Sequence, residues 1–287
     1  MNEHENKFQK AKEFLEERKY LQALQLFHSL LDVPQYRRKS IIQLIEIYDI
    51  QNQVESAIKL FEGYLEENSN DENIRAYYAQ FLIRRKKYSV AHDVLSGVST
   101  KNHPEKNFLL GMINFYLDDY EISRLNFEEF IQNNNKSELL PEAHLYIAKC
   151  NLKNHKLESA LDHLKRSEEL SNHNYEIYLT LGIVYYLKEM YFHAIQSIKK
   201  SIQLNPAEIS NYEWSGKIYF KMNEYEKARK EFERVTVLKD SDSEIYALLG
   251  MTCSKIKDID SAKSYFELAL KLNPANEVAL RGLAECN

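Results

Sequence analysis

The sequence predicts an all-α protein, a solenoid of antiparallel helix pairs stacked one on the next. Small residues recur at Ala23, Ala57, Ala91, Ser123, Ala160, Ala194, Ala228 and Ala262, in steps of 34, 34, 32, 37, 34, 34 and 34 residues. Self-similarity at a fixed period of this length marks a stacked repeat architecture. Apolar residues inside each period fall at helical spacing. Glycine and proline, at 7 and 5 of 287 residues, are as scarce as a nearly all-helical chain requires.

The unit from Ser243 to Asn276 shows how each element arises. Ile245, Tyr246, Leu249, Gly250 and Cys253 form one apolar stripe, helix A. After Lys257 and Asp258 a second stripe runs through Ile259, Ala262, Phe266, Ala269 and Leu270, helix B. Helix B stops at Asn273-Pro274, because proline has no backbone N–H to continue the ladder. The same reading divides residues 4–287 into eight repeats and a last helix: 4–37, 38–71, 72–103, 104–140, 141–174, 175–208, 209–242, 243–276 and 277–287. Ala11, Ala79, Gly111, Ala148, Gly182, Gly216 and Gly250 are the small residues of helix A. Phe27, Phe61, Leu95, Phe127, Leu164, Ile198, Phe232 and Phe266 fill the space between pairs. Burying one such side chain contributes roughly 1.5–3 kcal/mol. No repeat can hide its apolar faces alone, so stability comes from stacking.

Tyr178, Leu181, Gly182, Tyr185, Ala194, Ile198 and Pro206 form a pattern that returns as Tyr246, Leu249, Gly250, Ala262, Phe266 and Pro274. It returns again as Tyr212, Gly216, Tyr219, Ala228 and Phe232. It resembles the tetratricopeptide repeat (TPR) over nearly the whole chain. The resemblance implies a right-handed superhelical solenoid with helix A lining a concave groove, where partners of the family lie as peptides or helices. It implies a non-enzymatic scaffold or adaptor that assembles a protein complex. Two alternatives stand beside it: the regulatory or substrate-recruiting part of a larger enzyme, and a self-associating oligomer.

Groove places of the family, carried onto this chain, are largely polar in the first three repeats, as at Lys12, Gln43, Asn73 and Arg84. From the fourth repeat onward they become apolar: Phe108, Met112, Phe115, Tyr116, Leu145, Tyr146, Ile183, Tyr186, Trp214 and Phe220. A contiguous surface of this kind marks an interaction site, and aromatics dominate binding hot spots. Trp214 is surplus to the packing pattern, because Tyr212 already fills the large-residue place. The family's carboxylate clamp is missing: the matching places hold Phe8 and Lys12, Gln43, then Asn73 and Tyr77.

Composition narrows the function further. The net charge of −5 excludes general nucleic-acid binding, which needs a basic stripe. Two local basic runs, Arg37-Arg38-Lys39 and Arg84-Arg85-Lys86-Lys87, read as solvated helix ends or as patches for an acidic partner. No apolar run is long enough to cross a bilayer, and residues 1–6 lack a signal-peptide core, so a cytoplasmic protein is expected. There is no P-loop, GxGxxG, HExxH or GxSxG, so no catalytic or cofactor site is expected. Cys150, Cys253 and Cys286 lie far apart as packing residues or free thiols. His144, His155, His163 and His173 have no i, i+4 pair, so they read as surface histidines and no metal site is expected.

Two irregularities complete the reading. The polar connection Asn133-Asn134-Asn135-Lys136-Ser137 is expected to flex and divide the array near residue 140. The last helix is expected to cap the stack with Ala279, Leu280, Leu283 and Ala284 inward, and Arg281, Glu285 and Asn287 in water.

Overall fold

The computed structural model describes residues 3–238 and 242–286; the expectation for Asn287 lies outside them. The described residues form seventeen helices and no strand. In order they are α1 (Glu3–Glu16), α2 (Tyr20–His28), α3 (Pro34–Ile50), α4 (Val54–Glu67), α5 (Glu72–Arg84), α6 (Tyr88–Ser96) and α7 (Lys106–Tyr116). There follow α8 (Tyr120–Asn133), α9 (Leu140–Lys153), α10 (Leu157–Leu170), α11 (Tyr175–Leu187) and α12 (Tyr191–Leu204). The chain closes with α13 (Ile209–Lys221), α14 (Tyr225–Leu238), α15 (Ser243–Lys255), α16 (Ile259–Leu272) and α17 (Glu277–Glu285). Helix α3 begins ahead of Arg38 because Pro34, with its fixed φ and missing N–H, suits the first helical turn.

The chain divides into two compact units, Met1–Asp119 and Tyr120–Asn287. The division therefore falls between α7 and α8, not at Asn133–Ser137. That connection is held by local hydrogen bonds: Ser137 N–H donates to Asn134 C=O, Leu140 N–H to Ser137 C=O, and the Asn134 amide to Phe130 C=O. Within the second unit α8 packs on α9, with Phe127 stacked on Tyr146 at 5.2 Å.

Each helix A ends in the same way. The second residue after it has positive φ: Arg18, Asn52, Lys86, Asp118, His155, Glu189, Asn223 and Lys257, all between 56° and 64°. Its N–H and the next one turn back onto the helix, as Lys257 to Ser254 C=O at 3.1 Å and Asp258 to Cys253 C=O at 3.0 Å. This Schellman closure satisfies two orphan carbonyls and reverses the chain into helix B. None of the eight is glycine, although the left-handed region costs other residues about 1–2 kcal/mol.

The core is the periodic set read from the sequence. Ala23, Ala57, Ala91, Ser123, Ala160, Ala194, Ala228 and Ala262 are all 0% exposed. Phe27, Phe61, Leu95, Phe127, Leu164, Ile198, Phe232 and Phe266 are buried beside them. A Cβ on Gly216 would stand 2.5 Å from the Phe232 ring, and one on Gly250 2.5 Å from Phe266. At α17 the cap is partial: Ala279 is buried and Leu283 packs on the last pair, but Leu280 and Ala284 are exposed. A nine-residue helix lying on one pair has only one face to bury.

Two stability measurements follow. Lys257→Gly is expected to raise the urea midpoint, because relief of about 1–2 kcal/mol of left-handed strain exceeds the roughly 0.5–1 kcal/mol that glycine loses in chain freedom; Lys257→Val is expected to lower it. Gly216→Ala is expected to destabilise: better helix propensity returns about 1 kcal/mol, but crowding the buried Phe232 ring costs about 1–3 kcal/mol.

Candidate protein-binding surface

In the first unit, α7 supplies four of the expected residues. Phe108 is 4% exposed and belongs to the core rather than to a surface. Met112 and Phe115 are half-buried. Tyr116 is 45% exposed and lies flat on Tyr88, with ring centroids 4.8 Å apart and planes within 8°. Phe115 meets Tyr116 edge-on at 5.6 Å. Tyr88, Tyr116 and Phe115 thus form one aromatic ledge at the α5–α7 end of this unit.

In the second unit, Leu145 and Tyr146 are buried. Tyr146 is held between the Phe127 ring and the Lys149 ammonium, 5.1 Å from its centroid. Their burial takes both out of any surface: both lie on the side of α9 that packs on its neighbours. The remaining expected residues stay half-buried: Ile183 and Tyr186 on α11, Trp214 and Phe220 on α13. Tyr186 meets Trp214 edge-on at 5.4 Å and Tyr191 at 5.8 Å. Phe220 meets Tyr225 at 5.4 Å. Lys217 lies 5.2 Å over the Trp214 ring and donates to Glu244 at 2.8 Å. Tyr212, two residues before Trp214, is 0% exposed and donates its hydroxyl to Pro206 C=O. The core place is therefore filled, and Trp214 remains partly open to solvent.

Tyr88, Tyr191 and Tyr225 escaped the sequence reading of the surface. All three open a helix B, as do Tyr20 and Tyr120. An aromatic at the first place of helix B was the available signal, since that place lies next to the end of helix A across the tight turn.

The basic runs are absorbed by the stack. Arg85 grips the Asp49 carboxylate and its carbonyl and also reaches Asn52; Arg84 meets Asp49 at 3.4 Å and Lys87 meets Glu55 at 3.3 Å. Arg37 pairs with Glu67 at 2.6 Å and Arg38 with Asp71 at 3.0 Å. Arg37–Glu67, Arg84–Asp49, Arg85–Asp49 and Lys87–Glu55 join neighbouring repeats, whereas Arg38–Asp71 closes the second repeat on itself.

Residues 209–241 and 243–276 match the family described as tetratricopeptide repeat, and residues 50–130 match the one described as anaphase-promoting complex, cyclosome, subunit 3. The chain belongs to the tetratricopeptide repeat family. No curated protein matches it in sequence. Among solved structures this TPR protein is similar to a chain of the APC/C hetero-tetramer Cut9–Hcn1, with a TM-score of 0.69 and 13% identity over 93% of this chain. It spans 52% of that chain, about half its length. It is also similar to pilF of Pseudomonas aeruginosa, with a TM-score of 0.65 and 15% identity over 75% of this chain and 97% of that one. The C-terminal part of a TPR repeat-containing protein from Cytophaga hutchinsonii gives 0.59 and 16% over 84% and 98%. At these identities the likeness carries the fold.

The titratable groups of the TPR stack depart from expectation at one place. His144 and His163 do not both lie at the surface: α9 and α10 bring their Nδ1 atoms within 3.0 Å, and His144 is 7% exposed. Antiparallel pairing of helices A and B creates this contact between residues 19 apart, which i, i+4 spacing could not reveal. Burial, then His163 and Arg166, push the His144 pKa down to about 4; burial and Arg166 lower that of His163 as well. Among the described residues no three His, Cys, Asp or Glu side chains could hold a metal ion. Cys150 and Cys253 are buried, and burial raises the Cys253 thiol to about 11. No helix among the described residues is long and apolar enough to cross a membrane.

The histidine pair sets a pH dependence. Its unfolded pKa, near 6.5, exceeds the folded value, so the unfolded chain takes the proton first. The contribution to stability is complete above about pH 6.5 and is lost as pH falls toward 4. Thermal melts between pH 7 and 4 are expected to fall more steeply for the native chain than for His144→Leu/His163→Leu.

Proposed function

We propose that this TPR protein is a non-enzymatic scaffold that receives an apolar segment of another protein on its helix A surfaces and so joins a multiprotein assembly. Trp214 carries the reading. It is half-exposed beside Tyr186, with Lys217 over its face, while Tyr212 does the packing that its repeat requires. An indole with an open face and a neighbouring aromatic edge is the usual composition of a binding anchor. In the first unit the Tyr88–Tyr116–Phe115 ledge is the equivalent feature. The match of residues 50–130 to an anaphase-promoting complex subunit family, and the likeness to Cut9–Hcn1, support membership of a large complex as the setting. The candidate partner-binding residues narrow accordingly to Met112, Phe115 and Tyr116 in the first unit and, separately, Ile183, Tyr186, Trp214 and Phe220 in the second; Phe108 and Tyr146 serve packing.

Immobilised native protein and the variant Trp214→Ala/Phe115→Ala are to be compared by mass spectrometry for what each retains from native lysate. A protein retained by the native chain and lost on the variant is the expected outcome; identical retention removes the aromatic surfaces from the function. Trp214 is the single tryptophan, so its emission is expected to shift to shorter wavelength when the retained protein is titrated in.

A further inference from the structure

The repeat register shows what an ordinary turn between helices A and B looks like, and one turn breaks it. The last residue of helix A is Lys153, Lys221 and Lys255 in the fifth, seventh and eighth repeats; in the sixth it is Leu187. The residue after the positive-φ position is Lys19, Gln53, Lys87, Asp119, Lys156, Glu224 and Asp258 in seven turns; in the sixth it is Met190. The second residue of helix B is Glu55, Glu121, Glu158, Glu226 or Asp260 in five repeats; in the sixth it is Phe192. All three replacements are exposed, by 44%, 37% and 65%. They pack no core, and no other turn carries all three. Tyr186 and Tyr191 stand beside them, so apolar surface runs on toward Trp214.

The charges around this turn say what can cover it. Lys188 is tied to Glu158. Lys153 and Lys221, at the register place of Leu187 in the repeats before and after, are both exposed; among the described residues neither forms an ion pair, and Lys153 lies 5.9 Å over the Tyr120 ring. One exposed carboxylate of the turn, Glu189, stands against these two cations. Packed helices lie about 8–10 Å apart, and an extended chain advances about 3.3 Å per residue. One repeat therefore corresponds to about three residues of an extended ligand. The three side chains offer on the order of 300 Å² of apolar surface, well short of the roughly 800 Å² per partner of a stable dimer. A second copy of this chain is thus too large an occupant for the patch, and a short segment fits it.

We infer that the turn of Leu187, Met190 and Phe192 is a docking site for an extended peptide segment of another protein, in which a bulky apolar residue is bracketed by carboxylates three positions to either side. The apolar residue seats on Leu187 and Phe192, with Met190 adapting to its shape, as its unbranched, polarisable side chain allows. The carboxylates meet Lys153 and Lys221. The site lies outside the Trp214 anchor and does not depend on it.

The test uses an array of thirteen-residue peptides with Leu, Phe or Trp at the centre and Asp or Lys at the third position on either side, read by fluorescence anisotropy. The native chain is expected to bind the Asp-flanked peptides at least tenfold more tightly than the Lys-flanked ones. Leu187→Lys/Phe192→Glu, which restores the residues ordinary at those places, is expected to lose at least tenfold with an unchanged circular dichroism spectrum. Lys153→Glu/Lys221→Glu is expected to reverse the charge preference, and Trp214→Ala to change affinity less than twofold. Equal binding of both peptide classes, or no binding of any, overturns the inference. So does a loss confined to Trp214→Ala, which moves the segment to the groove and leaves the scaffold reading standing. A native mass that rises with concentration, and stays monomeric in Leu187→Lys/Phe192→Glu, overturns it in favour of a second copy.

Discussion

Everything in this chain depends on how closely helix A and helix B of one repeat approach. The approach is set by a small residue on each and by one large side chain laid across the gap. At Gly182 and Gly216 the large side chain lies where a Cβ would otherwise be. Ala11 fills the same place over Phe27, so the contact tolerates one methyl where the pair is built for it. The crossing is buried to 0% exposure in repeat after repeat, and the turn that enforces it closes by the same two hydrogen bonds each time. Since each pair needs only its neighbours, the residues outside these places are released from packing and can differ from one repeat to the next.

That division of labour explains what the sequence disclosed. Ala23 through Ala262 and Phe27 through Phe266 were legible because their packing is local and repeats with the period. A helix end was legible where proline marks it, as at Asn273-Pro274; the cap at Asp242, which accepts from Ile245 N–H, was not read. The left-handed turn residues were not, because glycine is its usual sign and none of the eight carries it. Phe108 and Tyr146 were read as groove residues because a register place fixes a face of the helix but not how deeply the next helix covers it. The His144–His163 contact joins two helices, and no spacing within one helix encodes it. The break ahead of Tyr120 has no compositional mark, whereas the polar run at Asn133–Ser137 looks like a break and is a hydrogen-bonded turn.

Electrostatics follow the same stacking logic. Arg84, Arg85 and Lys87 read as a basic patch along the sequence, yet all three serve Asp49 or Glu55 of the preceding repeat. Lys149 to Glu176 and Lys217 to Glu244 repeat one register relation, the ninth place of a repeat to the second of the next. Exposed pairs of this kind contribute at most about 1 kcal/mol each. Their larger consequence is subtraction: once they are formed, Arg84, Arg85 and Lys87 no longer make a free basic patch for a partner.

A repeated structure supplies its own control for every position, and departures from the register divide into two kinds. Some are buried and compensated. Ser123 stands in the alanine series and accepts from the Cys150 thiol at 3.3 Å, and Asn114 returns its amide to Leu110 C=O at 2.9 Å. These keep the stack intact and need no partner. Others are exposed and serve nothing inside the chain, as at Leu187, Met190 and Phe192. Exchanging a solvated charge for open apolar surface brings no packing energy and raises the tendency to associate. The first kind maintains a fold; the second has a physical rationale only when something outside the chain covers it.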